Sequence, residues 1–176
     1  PFMLPNGLKE ILNYNTWLIH SNQEDKFPLL YPEEYKSADK LHPYLNFIRV
    51  QLKDLDDNMM GALNEENHAV LLLDTDNKHA LAEQRRAFIE LLYWHLKIPV
   101  ILMGKYPPLD PATLQLYAST DLGGLLIDGF GDGVMLSTEK LPVHSKTEQL
   151  RVIKRNNELS FGILQASRVR MSKTEY

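Results

Sequence analysis

Short apolar runs recur along the chain, and each is closed by polar residues or by a turn that contains glycine. Runs of this length are typical of buried strands. They cover residues 16–19, 47–52, 70–73, 100–103 and 125–127. Segments with helical signals lie between them. This alternation predicts an α/β fold with a mostly parallel sheet of about five or six strands.

The clearest helical segment covers residues 77–97. Its apolar positions recur at spacings that share one helical face, and they are Leu81, Phe88, Leu91, Leu92 and His95. Asp76 can cap the first turn of this helix. Tyr93 and Trp94, together with Phe88 and Leu91, are expected to be core or helix-packing residues rather than part of a cofactor site.

Capping signals indicate two further helices. The carboxylate of Asp110 can accept an early backbone N–H, and Pro111 supplies the fixed φ favoured at the first helical position. This helix is expected to end near Ser119. Ser145 and Glu148 form the S-x-x-E pattern of a capping box, which predicts a helix over residues 146–155.

The remaining helical signals are shorter or weaker. A last helix is expected over residues 158–171, with Phe161 and Leu164 on one face. A short helix at 33–37 is expected within a long loop, 27–45, that is rich in proline and tyrosine. Met59 and Met60 are expected to belong to a short amphipathic helix.

The composition sets limits on the chemistry of this chain. Its 176 residues, 44% hydrophobic and 24% charged, are typical of one soluble globular domain. The chain has no cysteine, so it can form no disulfide, thiolate nucleophile or iron-sulfur ligand. Its longest uncharged apolar run, 98–103, is far too short for a membrane span. Because the chain starts at Pro1 rather than at methionine, we expect it to be an excerpt of a longer polypeptide.

The charge is unevenly distributed. The net charge is −4, but residues 139–176 carry eight Lys or Arg against four Glu, which leaves −8 on the first 138 residues. A basic tail can attract nucleic acid. Here glutamates interrupt the basic residues, and no aromatic platforms are available to stack on bases. Nucleic-acid binding is therefore not expected.

A glycine-rich loop follows the run at 125–127. The backbone N–H groups of a loop containing Gly129, Gly131 and Gly133 could bind a phosphate. The nucleotide-binding pattern G-x-G-x-x-G fails, however, because residue 134 is valine. We therefore prefer a structural turn and keep a phosphorylated-ligand site in an independent small enzyme or binding domain as the alternative.

Other candidate catalytic groups are weaker. Asp128 and Asp132 could act as paired carboxylates or hold a magnesium ion, although aspartates beside glycine more often stabilise turns. The six histidines show neither H-x-H nor H-E-x-x-H spacing. His20, at the end of a predicted strand, is the one placed where catalytic groups of α/β folds often lie. No metal site is expected.

The C-terminal segment is the most informative part of the sequence. It reads S-F-G-I-L-Q-A-S-R-V-R-M-S-K-T-E-Y over residues 160–176. Arg168, Arg170 and Lys173 could clamp a diphosphate or an acidic partner. Basic residues at a helix end also complement the helix dipole, which is the commoner role.

This segment, together with A-S-T-D-L-G-G-L-L-I-D-G-F-G-D-G-V-M-L over residues 118–136, resembles the three-domain form of the 4-hydroxy-3-methylbut-2-enyl diphosphate synthase family. The resemblance implies a bacterial cytoplasmic reductase of the methylerythritol phosphate route to isoprenoids. Such a reductase carries a 4Fe-4S cluster and receives electrons from ferredoxin or flavodoxin. The cluster ligands would lie beyond residue 176.

The resemblance also implies a place for this chain in the larger enzyme. Residues 1–157 would form most of a central insert domain, a partial or divergent TIM barrel. Residues 158–176 would form the last helix and a basic connector toward the iron-sulfur domain. The chain alone is expected to be structural and inactive, with the other domains as its partners and a homodimer as a further possibility.

Overall fold

The computed structural model describes residues 9–21, 23–65, 68–138 and 146–171, with backbone only at 146 and 169–171. Its strands are β1 Glu10–Asn13, β2 Lys26–Leu30, β3 Asn46–Val50, β4 Ala69–Leu73, β5 Val100–Tyr106 and β6 Gly133–Thr138. Its α-helices are α1 Tyr14–His20, α2 Pro32–Ser37, α3 Asp57–Glu65, α4 Ala80–Tyr93, α5 Pro111–Ala118, α6 Gly124–Ile127 and α7 Lys146–Met171. A 3-10 turn, Leu52–Asp54, and a π-helical turn, Ser119–Gly123, complete the elements.

The six strands form one sheet in the order β1-β2-β3-β4-β5-β6, and every neighbouring pair is parallel. Each strand therefore pairs with the next strand along the chain, as in a TIM barrel. The six described strands curl into a half-barrel. The predicted α/β, mostly parallel, partly TIM-barrel-like fold is confirmed.

The main core lies between the sheet and the helices. Ile48, Leu71 and Leu102, from the three central strands, are fully buried. Leu91 from α4 and Met60 from α3 belong to the same cluster. Each such side chain contributes about 1.5–3 kcal/mol by leaving water. The strands predicted at 47–52, 70–73 and 100–103 and the methionine helix are confirmed.

Gln84 ties helix α4 to the sheet. It is 1% exposed, and its side-chain N–H groups donate to the carbonyls of Leu73 and Met103, at 3.0 Å each. These carbonyls lie on neighbouring strands, β4 and β5. One amide therefore holds the helix over the seam between two strands.

The N-terminal third differs from the prediction. Residues 16–19, predicted as a strand, lie in helix α1. Trp17 holds this helix against β2, since its buried indole N–H donates to the carbonyl of Lys26 at 3.1 Å. The first strand is instead β1, a short edge strand whose polar residues concealed it. Residues 26–30, predicted as loop, form β2 despite Pro28. The predicted short helix at 33–37 is confirmed as α2.

The predicted strand at 125–127 is also wrong. These residues form helix α6, which continues from α5 through the π-helical turn. A short apolar run cannot distinguish a strand from a buried helix by periodicity alone. Gly124 allows the close packing here, since a Cβ at this position would lie 3.0 Å from the side chain of Leu81.

Helix α4 is shorter than the predicted 77–97. Asp76 does not cap it, because its carboxylate accepts hydrogen bonds from Gln51 and Lys105. The predicted apolar face of this helix is wrong at two positions. Leu92 is 57% exposed, and His95 lies beyond the end of the helix in a left-handed conformation.

Two aromatic residues at the end of α4 also differ from the prediction. Tyr93 is 78% exposed and Trp94 is 37% exposed, so neither packs in the core. Phe88 and Leu91, which were grouped with them, are buried as predicted. The main core therefore includes Leu91 in the last turn of α4 but not the two aromatic residues that follow it.

The predictions for the helices after β5 are partly confirmed and partly wrong. The carboxylate of Asp110 accepts hydrogen bonds from the backbone N–H groups of Ala112 and Thr113, so the predicted cap is confirmed. The helices predicted at 146–155 and 158–171 are one helix, α7. Phe161 is 67% exposed, and the buried face carries Ile163 instead. Ser145, the other half of the predicted capping box, lies outside the described residues.

None of the described helices combines the length and apolar character needed to cross a bilayer. The longest, α7, carries charged residues along its whole length.

Candidate functional site at the carboxyl edge of the sheet

A compact ion-pair cluster lies where strands β3, β4 and β5 end. Asp74 directly follows β4, and its carboxylate is 1% exposed. One oxygen, Oδ2, accepts from Arg49 Nη2 at 2.6 Å and Nε at 2.9 Å, and from Lys105 Nζ at 2.6 Å. The other, Oδ1, accepts from the backbone N–H of Thr75 at 2.8 Å. The cluster thus links three neighbouring strands through one buried anion.

A second carboxylate extends the cluster toward solvent. Asp76 lies 3.2 Å from Lys105 Nζ and accepts from Gln51 Nε2 at 2.8 Å. On the other side, the guanidinium of Arg49 lies 5.9 Å from the centre of the Tyr31 ring. Each cation in the cluster therefore has at least two partners.

These contacts fix the charge states. Burial lowers the pKa of Arg49 and of Lys105, but hydrogen bonds and charge attraction from Asp74 outweigh it, so both pKa values are raised. Hydrogen bonds from Gln51 and Lys105 lower the pKa of Asp76. Lys105 stays protonated near neutral pH and cannot act as a neutral amine nucleophile or base.

Two adjoining clefts open at this edge. One, of about 470 Å³, is lined by Thr75, Tyr106 and Asp121, and the other, of about 310 Å³, contains Arg49. Lys105 and Asp76 line both clefts. The carboxyl ends of parallel strands are the usual place for ligand sites in barrels of this type.

Tyr106 closes the floor of the larger cleft. Its hydroxyl donates to Asp121 at 3.0 Å. Burial raises the pKa of Tyr106 strongly, and the charge of Asp121 adds to the shift. The phenol is therefore a fixed hydrogen-bond donor and not an acid-base group. With every cation in the cluster neutralised by a carboxylate, the geometry favours a structural network over a catalytic centre.

The described residues contain no group of three or more His, Cys, Asp or Glu that could hold a metal ion. The whole sequence lacks cysteine. Iron-sulfur clusters are held by cysteine thiolates. The residues of this chain therefore do not fit a 4Fe-4S cluster.

The glycine-rich loop lies at the opposite edge of the sheet, before β6. The backbone N–H groups of residues 128, 129, 130 and 132 donate to the carbonyls of Gly124, Leu126, Leu125 and Val100. The loop also follows the C-terminus of helix α6, where the helix dipole is unfavourable for an anion. These N–H groups are thus already used, and the preferred interpretation of a turn is supported.

The glycines and aspartates of this loop have structural contacts. Gly129 and Gly131 have φ of 83° and 94°, which favours glycine. Asp132 accepts from the backbone N–H of Val100 at 2.8 Å and so ties the loop to β5. Asp128 forms an ion pair with Arg85. Gly133 is the first residue of β6. The two carboxylates therefore bind different parts of the molecule and do not form a pair.

The predicted tail cluster is only partly within the described structure. Arg168 lies on α7 and is exposed, the side chain of Arg170 is not described, and Lys173 lies outside the described residues. Their role in binding a diphosphate stays a prediction.

Among the described residues, the histidines take part in no group of three or more potential metal ligands. His20 is the last residue of helix α1, not of a strand, so the reason for selecting it was wrong. His42 is buried, and its ring Nδ1 accepts from the backbone N–H groups of Tyr44 and Leu45 at 3.2 Å each. Burial lowers the pKa of His42, which keeps the ring neutral.

Sequence reasoning missed the cluster around Asp74, although a signal was present. Arg49 interrupts one predicted strand, Asp74 directly follows the next, and Lys105 comes two residues after the third. Because parallel strands bring their carboxyl ends to one edge, the three charges could have been placed together. Asp76 was noted only as a helix cap.

Three curated relatives of this chain carry the same protein name. The chain is 35% identical over 179 residues to the 4-hydroxy-3-methylbut-2-en-1-yl diphosphate synthase (flavodoxin) of Parabacteroides distasonis, covering 100% of this chain and 27% of that protein. The protein of the same name from Porphyromonas gingivalis is 34% identical, and the match covers 81% of this chain and 23% of that protein. The one from Phocaeicola vulgatus is 30% identical, and the match covers 97% of this chain and 26% of that protein.

The chain spans about a quarter of the length of these relatives. No protein-family model matches it. No solved structure matches it either.

Proposed function

The chain belongs to the family of 4-hydroxy-3-methylbut-2-en-1-yl diphosphate synthases, one segment of which it matches from end to end, and from this premise we propose that it is an inserted half-barrel domain of such an enzyme. Residues 1–157 would form the insert, and residues 158–176 its last helix and the connector toward the iron-sulfur domain. The carrying observation is the match of the whole chain to about a quarter of a longer protein.

The full-length protein would reduce 2-C-methyl-D-erythritol 2,4-cyclodiphosphate to 4-hydroxy-3-methylbut-2-enyl diphosphate. Two electrons and two protons are consumed, the cyclic diphosphate ring opens, and one water leaves. The relatives' names support flavodoxin as the electron donor, and ferredoxin is the alternative. A 4Fe-4S cluster would pass the electrons to the substrate. Its cysteine ligands would lie outside this chain, because these 176 residues contain no cysteine.

Within that enzyme the segment would be structural. The pairing of Arg49 and Lys105 with the carboxylates of Asp74 and Asp76 supports this role, because a catalytic cation must carry charge that no carboxylate already balances. The segment would set how the domains on either side of it approach each other. No chemical step is assigned to its own residues.

Turnover of the full-length protein tests both parts of this proposal. The purified enzyme, loaded with its cluster, should convert the cyclodiphosphate when reduced flavodoxin is supplied. Lys105→Met should leave kcat within about tenfold of the parent, whereas loss of a catalytic electrostatic group costs about 10²–10³ in kcat. Lys53→Met, which removes an exposed cation from the same cleft, is the matched control.

Either of two results would contradict the proposal. Absence of turnover in the parent would remove the enzyme assignment. A loss of about 10² or more in kcat for Lys105→Met alone, with the variant folded as judged by circular dichroism, would make the segment catalytic rather than structural.

We also propose that Arg168, Arg170 and Lys173 contact a diphosphate in the assembled enzyme. Their positive charge supports this, as does their place in the segment that would lead toward the iron-sulfur domain. Replacing all three with glutamine should raise KM for the cyclodiphosphate, whereas Arg151→Gln, which removes an exposed cation from the same helix, should not. An unchanged KM in the triple variant would remove the proposal.

A further inference from the structure

A groove runs between helices α5 and α7. It has two parts, of about 380 and 310 Å³. Gln115, Leu159 and Gly162 line both parts, which joins them into one groove. On α7 the lining extends from Arg155 to beyond Ala166, about 16 Å along the helix axis.

Much of the groove is apolar. Ile163, which is 5% exposed, and Ala166 line it from α7, and the opposite wall contributes Ser119 and Ile127. The buried hydroxyl of Ser167 also lines the groove but is already used, since it donates to the carbonyl of Ile163 at 3.1 Å. This part of the groove therefore offers mainly hydrocarbon to a ligand.

Gly162 keeps the middle of the groove open. A Cβ at this position would meet no atom within 4 Å, so no close contact among the described residues requires a glycine here. Glycine in the interior of a helix is destabilising relative to alanine. Close approach of a ligand to the backbone is one physical reason for a glycine at such a position.

Arg155 lies at the other end of the groove, and its charge is not balanced. Its Nε is buried, and among the described residues it has no hydrogen-bond partner. Arg49 and Arg85 each form an ion pair with an aspartate, but Arg155 forms none within the described ranges. Glu158 lines the same end, although its carboxylate pairs with Lys154 at 3.7 Å. This end of the groove therefore attracts an anion.

We propose that the groove binds an amphipathic anion, with a carboxylate or phosphate head on Arg155 and a hydrocarbon chain over Gly162 and Ala166. A planar guanidinium binds either head through paired hydrogen bonds. Burial of the chain removes apolar surface from water. Fatty acids and phosphorylated lipid alcohols share this chemistry. The site lies apart from the cluster around Asp74 and is independent of the proposed reduction.

Titration calorimetry on the full-length protein tests this site. The probes are decanoate and decyl phosphate, which carry the same chain on different heads, with acetate and inorganic phosphate as controls without a chain. At least one amphipathic probe should bind with a Kd of about one millimolar or tighter, and the controls should bind more weakly. The tighter probe identifies the preferred head group.

Two variants locate the bound probe. Arg155→Gln should weaken binding about tenfold or more, because charge-assisted hydrogen bonds to the head are lost. Arg151→Gln, which removes an exposed cation one turn earlier, should leave Kd unchanged. Gly162→Leu should abolish binding, since the new side chain fills the groove. Gly61→Leu is the matched control, because a Cβ there also meets no atom within 4 Å but lies on α3.

Three results would overturn the proposal. Absence of binding of both amphipathic probes to the parent would show that the groove is not a ligand site. An unchanged Kd in Arg155→Gln and Gly162→Leu would place the probe elsewhere on the protein. A lower Tm for Gly162→Leu than for Gly61→Leu would show that another part of the polypeptide already fills the groove, because leucine is a better helix former than glycine. None of these measurements depends on turnover, so they are independent of the enzyme assignment.

Discussion

At the scale of single residues, Asp74 has the most demanding environment. Its carboxylate, at the end of β4, is almost fully buried between Arg49 on β3 and Lys105 on β5. Buried ion pairs contribute little net stability compared with apolar replacements, but removing one partner leaves the others uncompensated. The arrangement therefore makes β3, β4 and β5 mutually dependent through one side chain.

We expect Asp74→Asn to lower the free energy of unfolding by about 3–5 kcal/mol, because Arg49 and Lys105 would lose the buried anion between them and only Lys105 would keep a carboxylate partner, Asp76. Urea unfolding measures this effect. Asp25→Asn is the matched control: its ion pair with Lys9 is largely exposed and should contribute less than about 1 kcal/mol. Similar losses in the two variants would show that Asp74 does not have the assigned role.

His42 provides a pH-dependent prediction. Burial lowers its folded-state pKa below the ordinary value of 6.5, so the unfolded chain binds a proton more readily than the folded one. The free energy of unfolding should therefore decrease as the pH falls below 6.5, with a slope of at most about 1.4 kcal/mol per pH unit, and level off below the folded-state pKa.

The His42 variant identifies the source of this slope. His42→Gln removes the titrating ring, while its amide oxygen can still accept a hydrogen bond, so this part of the pH dependence should disappear. Urea unfolding at a series of pH values, together with an NMR titration of the His42 ring, provides the measurement. An unchanged slope in the variant would assign the effect to another group.

At the scale of secondary-structure elements, the sequence identified the central strands and missed the outer ones. Strands β3, β4 and β5 were found because each contains a run of apolar residues whose central members are buried. Strand β1, E-I-L-N, lies at an edge and reads as polar, and β2 contains Pro28, which argues against a strand. Helix α6 was mistaken for a strand because its short apolar run carries no helical period.

Gln84 makes helix α4 dependent on two strands at once. Gln84→Ala would leave the carbonyls of Leu73 and Met103 without this donor, in a site closed to water. We expect the free energy of unfolding to fall by about 1–3 kcal/mol. Gln115→Ala, on the exposed side of α5, should change it by less than about 0.5 kcal/mol. Equal urea midpoints for the two variants would refute this role.

At the scale of the whole molecule, alternation of strand and helix predicted the fold class, because a parallel sheet needs a crossover after each strand. The candidate site was harder to predict, since Arg49, Asp74 and Lys105 are about 25 to 30 residues apart and meet only through strand register. Charged residues at strand ends carried that signal.

The consecutive strand order also affects how the molecule is made. Every strand pairs with its immediate predecessor, so each new strand and helix can add to a sheet that has already left the ribosome. No early strand has to wait for a late one. The newest strand is an edge until the next one pairs with it, so the growing sheet keeps a fixed unpaired edge at β1 and a second edge that passes to each new strand in turn.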